Sequence, residues 1–268
     1  MINDRLPLLA QTVRDSLRGL IYWSIGITAV LSLYLLVYPS MIEGQEAYET
    51  VFDNLPEALV EGMGWHDITS GPGYLDYTVY SLFGPILLLI IAIVYGSRFL
   101  AGEEDQGALD IYLSYPLDRT RLLLERAGAL TLILLAIGTL LGLVVAGYVV
   151  LLDMGVAMIN IVAATIGLML LANFFGTLAL ATGAATGQPG AVLGSAAGFA
   201  VLSYVFQTLA PVVDWLGWIS WLSPFHYALG GDPLRTGFDL TGIAVLILAT
   251  GAVLAAGILL FERRDVRS

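Results

Sequence analysis

The chain has 268 residues, of which 58% are hydrophobic and only 12% charged, and it carries a net charge of -11; soluble domains average about 25% charged residues, so this composition is that of a polytopic membrane protein with little chain left for a separate soluble domain. All 11 basic residues are arginine and cysteine is absent, which excludes a P-loop ATPase and Schiff-base chemistry on one side, and disulfides, thiol catalysis and thiolate metal sites on the other. The acidic balance argues against nucleic acid as a partner.

The excess of carboxylates, with arginine in place of every lysine, reads as the composition of a halophilic archaeon; an acidic loop combined with compositional drift gives the same totals. Residues 1–19 are amphipathic: Ile2, Leu6, Leu9, Val13 and Leu17 recur at three- and four-residue steps between Arg5, Arg14, Asp15 and Arg18. That spacing predicts a helix able to lie flat in the headgroup region and to lead straight into the first span. The long apolar stretch that follows lacks a small-x-small cleavage site, so a removed signal peptide is not expected.

Residues 20–38 are uncharged and long enough to cross a bilayer at ~1.5 Å per residue. Residues 39–79 form a loop with eight acids, Glu43, Glu46, Glu49, Asp53, Glu57, Glu61, Asp67 and Asp76, and no arginine; its middle, 46–62, suits a short surface helix. The second span is expected at 77–97. Residues 98–126 then hold the most highly charged stretch of the chain, and the third span follows at 127–152. The 60 residues from Met154 to Val213 carry no formal charge. They divide into spans at 157–183 and 190–213, broken at the glycines around Gln188 and Pro189.

Residues 214–239 are aromatic and apolar yet punctuated by Pro224, Gly230, Gly231 and Pro233, so they read as a re-entrant or interfacial helix pair with Trp215, Trp218 and Trp221 along one face. The sixth span is 240–261, with a tail at 262–268. The expected fold is therefore all-α and integral to the membrane, with six transmembrane helices. Ten of the 11 arginines then share one side and only Arg235 lies opposite, which places both termini in the cytoplasm of a multi-pass protein of the cell membrane.

Candidate chemistry is sparse. His66 and His226 fall in outer segments far apart in the chain, so no metal site is expected. There is no HExxH motif and no histidine at membrane depth, so no catalytic residue is assigned. The spans lack the ionisable residues by which transporters and pumps relay a coupling ion. Asn160, Asn173, Thr177 and Gln188 are their notable polar groups and read as inter-helix hydrogen bonding or as ligand contacts. Gly183, Gly187, Gly190, Gly194 and Gly198 recur at about four-residue steps and fit close helix packing, an oligomer contact or a hinge alike. A chain of this kind borrows its energy from another subunit.

The run Gly102-Glu103-Glu104-Asp105-Gln106-Gly107, then Ala108-Leu109-Asp110-Ile111-Tyr112-Leu113, then Ser114-Tyr115-Pro116-Leu117-Asp118-Arg119 resembles the acidic-Gly-Thr-Leu, leucine-rich, Pro-Val-Ser-Arg pattern of type-2 ATP-binding-cassette (ABC) permeases, in their six-span archaeal and bacterial export-type form. Leu222-Ser223-Pro224-Phe225, the Gly187-Gln188-Pro189-Gly190 break and the terminal Phe261-Glu262-Arg263-Arg264-Asp265 extend the resemblance over the whole chain. It departs at Ala108, where threonine is usual, and at Glu125-Arg126, where a lysine often precedes the third span.

The resemblance implies a transmembrane permease subunit without catalysis of its own. It implies two permease chains, the second a copy or a paralogue, and two separately encoded ABC ATPase subunits that bind ATP and Mg, with the pathway between the permeases. The coupling residues it implies are Glu103, Glu104, Asp105, Gly107, Leu109, Asp110, Tyr112, Leu113, Pro116 and Arg119. A short cytoplasmic coupling helix presenting Leu109, Tyr112 and Leu113 on one side suits an apolar groove, while the acids either pair with basic residues of the ATPase or cap and solvate the helix start. The outer gate residues it implies are Trp215, Trp218, Trp221, Pro224 and Phe225, which either seal the exit or anchor at the headgroups. The alternative from another class is a membrane scaffold that binds a protein through the 39–79 loop.

Overall fold

The computed structural model describes residues 7–44, 67–105, 118–210 and 217–264. Among them there is no strand. Helix α1 (Pro7–Leu35) starts on a proline, whose fixed φ and missing N–H suit the first turn, and a short α2 (Tyr38–Glu43) follows with Pro39 in its first turn. Helix α3 (Gly71–Asp105) is started by Ser70, whose hydroxyl accepts the Gly73 N–H at 3.0 Å, and it contains two wide π segments, Asp76–Phe83 and Arg98–Gly102. Helix α4 (Arg119–Leu151) is capped by the Asp118 carboxylate, which accepts from the Thr120 N–H at 3.2 Å.

Helix α5 (Met158–Thr186) ends at Gly187, which takes the left-handed conformation at φ 66°. Pro189 opens the next helix, α6 (Pro189–Leu209), so the turn between them is tight. Three short helices follow, α7 (Gly217–Ser220), α8 (Pro224–Leu229) and α9 (Pro233–Thr236), and the last is α10 (Leu240–Arg263), capped by Asp239. Six helical units are long and apolar enough to cross a membrane: α1 with α2, then α3, α4, α5, α6 and α10.

The boundaries differ from the sequence reading in places with a local cause. The segment expected as a headgroup helix over 1–19 is, from Pro7 onward, the first part of α1 and enters the span without a break. The loop expected over 39–79 is helical at both ends, because Pro39 and the Ser70-Gly71-Pro72 start each nucleate a turn. The helix expected over 46–62 lies outside the described residues.

Helix α5 is the hub of the bundle, packing against α3, α4, α10 and the short α8 and α9. Its contact with α3 is a backbone approach: a Cβ on Gly96 would overlap the carbonyl oxygen of Gly176. Small residues allow this where dispersion, rather than exclusion of water, holds helices together. Helix α1 instead rests mainly on α4. The outer faces of α1, α6 and α10 bear exposed apolar side chains such as Tyr22, Val201 and Leu248, as befits surfaces solvated by hydrocarbon.

Three polar pairs tie the inside of the bundle together. The Tyr80 and Thr165 hydroxyls lie 2.9 Å apart between α3 and α5, Thr131 donates to Asn173 Oδ1 at 2.9 Å between α4 and α5, and Asn160 Nδ2 donates to the Leu234 carbonyl at 2.8 Å. Thr177 is buried and Gln188 is exposed at the α5–α6 turn.

Candidate functional site at the arginine-rich end

The ends of α3, α4 and α10, the start of α1 and the α5–α6 turn meet at one end of the bundle. Arg126 is almost fully buried there, at 4% exposure. Its guanidinium donates to Glu103 Oε2 at 2.7 Å and to the Thr12 hydroxyl of α1, and lies 5.9 Å from the Phe99 ring centroid. The residue before it, Glu125, accepts from the Leu9 backbone N–H at 3.0 Å and from Arg121 Nε at 2.8 Å. The face of α1 that meets α4 is therefore Leu8, Thr12 and Ser16, all buried, while Leu17 is exposed. The two hydroxyls also bond back to the α1 carbonyls four residues earlier, so they remain satisfied in an apolar setting.

A second arm joins Glu104 to α10. Arg264 pairs with Glu104 and donates to the Ala184 carbonyl at 3.1 Å, next to Gly187, where any Cβ would collide with both side chains. Glycine is favoured there by its positive φ, and a Cβ would push the tips of both side chains aside. Arg119, at the first position of α4, donates to the Phe261 carbonyl at 3.0 Å and to the Arg264 carbonyl, and stacks 5.5 Å from the Phe261 centroid. Thr120 adds a 2.6 Å bond to Glu262.

The structure brings Glu103, Glu104 and Arg119 together in this network and leaves Asp105 exposed. Gly107, Leu109, Asp110, Tyr112, Leu113 and Pro116 lie outside the described residues. Both flanks of 106–117 are fixed, and the carboxylates of Glu103 and Glu104 are engaged within the chain. Sequence reasoning missed Thr12, Arg126 and Arg264 as partners. Arg126 sits in the charged stretch and Arg264 in the terminal motif, but no local spacing relates either to its carboxylate.

At the opposite end Arg235, the arginine that the charge count places apart, pairs with Asp67 and with Asp232 at 2.6 Å, and the bond to Asp232 pushes its pKa further up. Asp67 also accepts from the Ser70 hydroxyl at 2.6 Å, so the last described acid before α3 is held to α9. The residues implied as a gate separate. Trp218 and Trp221 are 66% and 63% exposed, whereas Pro224 and Phe225 are buried. Phe225 packs against Phe175 and Tyr204 at ring distances of 6.0 and 5.6 Å. Trp221 stacks on His226 at 5.1 Å. Trp215 lies outside the described residues. Among the described residues no cluster of His, Asp and Glu could hold a metal.

Between α3 and α6 runs an apolar crevice of about 380 Å³, with Ile86, Ile90 and Val94 on one wall, Ala197 and Val201 on the other, and Phe225 also lining it. Ala197 and Ala200 keep the α6 wall low. A family model described as ABC-2 family transporter protein matches residues 6–266. No curated protein matches the chain.

Proposed function

The chain belongs to the ABC-2 family of transporter proteins, and we propose that it is the permease subunit of an ATP-driven exporter whose ATPase is a separate chain. As an ABC permease component it spans the membrane and carries no lysine for a P-loop. ATP and Mg are thus assigned to the partner, and this chain to transport without catalysis of its own.

The single observation that carries the reading is the family match over nearly the whole chain, combined with the fixed flanks of residues 106–117. A segment that is to pass a push from a soluble partner into a bundle needs rigid attachments, and the arginine-rich network supplies them on both sides. That end is assigned to the cytoplasm of the plasma membrane, because arginine counts set orientation. Leu109, Tyr112 and Leu113 are proposed to seat in the ATPase groove. Since Glu103 and Glu104 pair within this chain, Asp105 and Asp110 are left as the acids for any basic rim of that groove.

Two permease chains facing each other would place the pathway between them. The α3–α6 crevice supports that arrangement, being apolar and open, with Phe225 among its lining residues. Co-purification of the full chain with its ATPase tests the reading. Leu109→Asp with Tyr112→Asp is expected to abolish ATPase association while the permease still inserts and stays monodisperse. Retained association would remove the coupling assignment, and failure of any P-loop ATPase to co-purify with the unaltered chain would favour a scaffold instead.

A further inference from the structure

Arg264 stands between the described flanks of residues 106–117. Its side chain holds Glu104, the penultimate residue of α3, and its backbone carbonyl receives Arg119, the first residue of α4. The same guanidinium reaches the Ala184 carbonyl at the end of α5. One residue thus touches both flanks of the segment and the α5–α6 turn. The neighbouring carboxylate, Glu103, is held by a different arginine, Arg126, which bonds to Thr12 of α1.

We infer that Arg264 is the positioning residue of the ATPase-docking segment, clasping its two ends to α10 and the α5–α6 turn, while Glu103 and Arg126 tie the same segment separately to α1. This rests on the proposed role of 106–117 and adds its transmission path. Adjacent carboxylates at 103 and 104 fork a displacement of the segment into two groups of helices, α1 with α4 on one arm and α5, α6 and α10 on the other. The Glu104 and Arg264 side chains are only 13% and 16% exposed, so the pair is weakly screened by salt and holds as a stiff link. Gly187 permits the crossing, since any larger residue would fill the space the pair occupies.

The chain contains no cysteine, so spin labels can be placed without background. Pulsed EPR distances in nanodiscs would be measured on the full chain between Asp105→Cys and Arg263→Cys for the α10 arm, and between Asp105→Cys and Arg14→Cys for the α1 arm. All three labelled positions are exposed. Arg264→Gln is expected to broaden the first distribution and leave the second narrow. Glu103→Gln is expected to do the reverse, and Glu104→Arg with Arg264→Glu to restore the first. An unchanged first distribution in Arg264→Gln, equal broadening of both, or no rescue on charge reversal would each overturn the inference.

These distances are read without the ATPase, so their outcome is separate from that of the docking proposal. With the ATPase bound, Arg264→Gln is expected to keep association and lose roughly 10-fold in permease-stimulated ATP hydrolysis, within the range of ordinary coupling energies. Loss of association instead would make Arg264 part of the docking surface and overturn the positioning role.

Discussion

Replacing Arg126 by methionine removes a cation at 4% exposure and leaves Glu103, whose side chain is 22% exposed, without its partner. Removing one member of a buried ion pair costs about 3–5 kcal/mol, because the remaining charge stays desolvated. The partial exposure of Glu103 puts the expected loss near the lower bound, about 3 kcal/mol. Glu103→Gln combined with Arg126→Met neutralises both groups at similar volume and is expected to return to within about 1 kcal/mol of the unaltered chain. Unfolding of the four proteins in mixed micelles, followed by tryptophan fluorescence, closes the cycle, with an expected coupling energy of at least about 2 kcal/mol. A loss below 1 kcal/mol in Arg126→Met, or a double variant whose loss is the sum of the singles, would refute the view that this is a desolvated, mutually dependent pair.

Gly96→Val drives a side chain into the Gly176 carbonyl and is expected to lower stability in the same assay by 3 kcal/mol or more, at the top of the usual ~1–3 kcal/mol for overpacking, since backbone cannot yield as a side chain does. Gly147→Ala, on an open face of α4 with nothing within 4 Å of a new Cβ, is expected to be neutral or to gain up to about 1 kcal/mol from helix propensity. Arg235→Gln, at 41% exposure against two carboxylates of 36% and 38%, is expected to cost at most about 1 kcal/mol. That difference should fade as salt is raised, which repeating the unfolding curves in low and high salt would measure.

Much of the architecture can be read from charge and hydropathy alone. Uncharged runs mark the spans because no charge is tolerated there without a partner, and the glycine and Pro189 at 187–190 mark the α5–α6 turn because only such residues make it. Hydropathy cannot locate the start of α3 at Gly71, since the Ser70 cap and Pro72 lie in a polar run that resembles loop. The partners within the arginine-rich network were not legible either. Glu104 and Arg264 are 160 positions apart, and which of several arginines meets which acid is decided by how five helix ends converge. Likewise Phe225 and Trp221 look alike as aromatic residues of one outer segment, yet Pro224 starts a new helix that turns Phe225 inward against Phe175 while Trp221 remains outside.

The resting place of α1 has a consequence for biosynthesis. Its main neighbour is α4, and the Arg126 that Thr12 awaits is made 114 residues later, which at ~5–20 residues per second is on the order of 6–20 s of translation. Throughout that interval α1 lacks its main neighbour and, among the described residues, has only α3 to rest on, through the Tyr74 hydroxyl on the Tyr34 carbonyl and the Tyr34–Phe83 ring contact. The serine and threonine on its future contact face keep their hydroxyls on their own backbone for that wait, and Thr12 accepts from Arg126 as well once the ribosome has delivered α4.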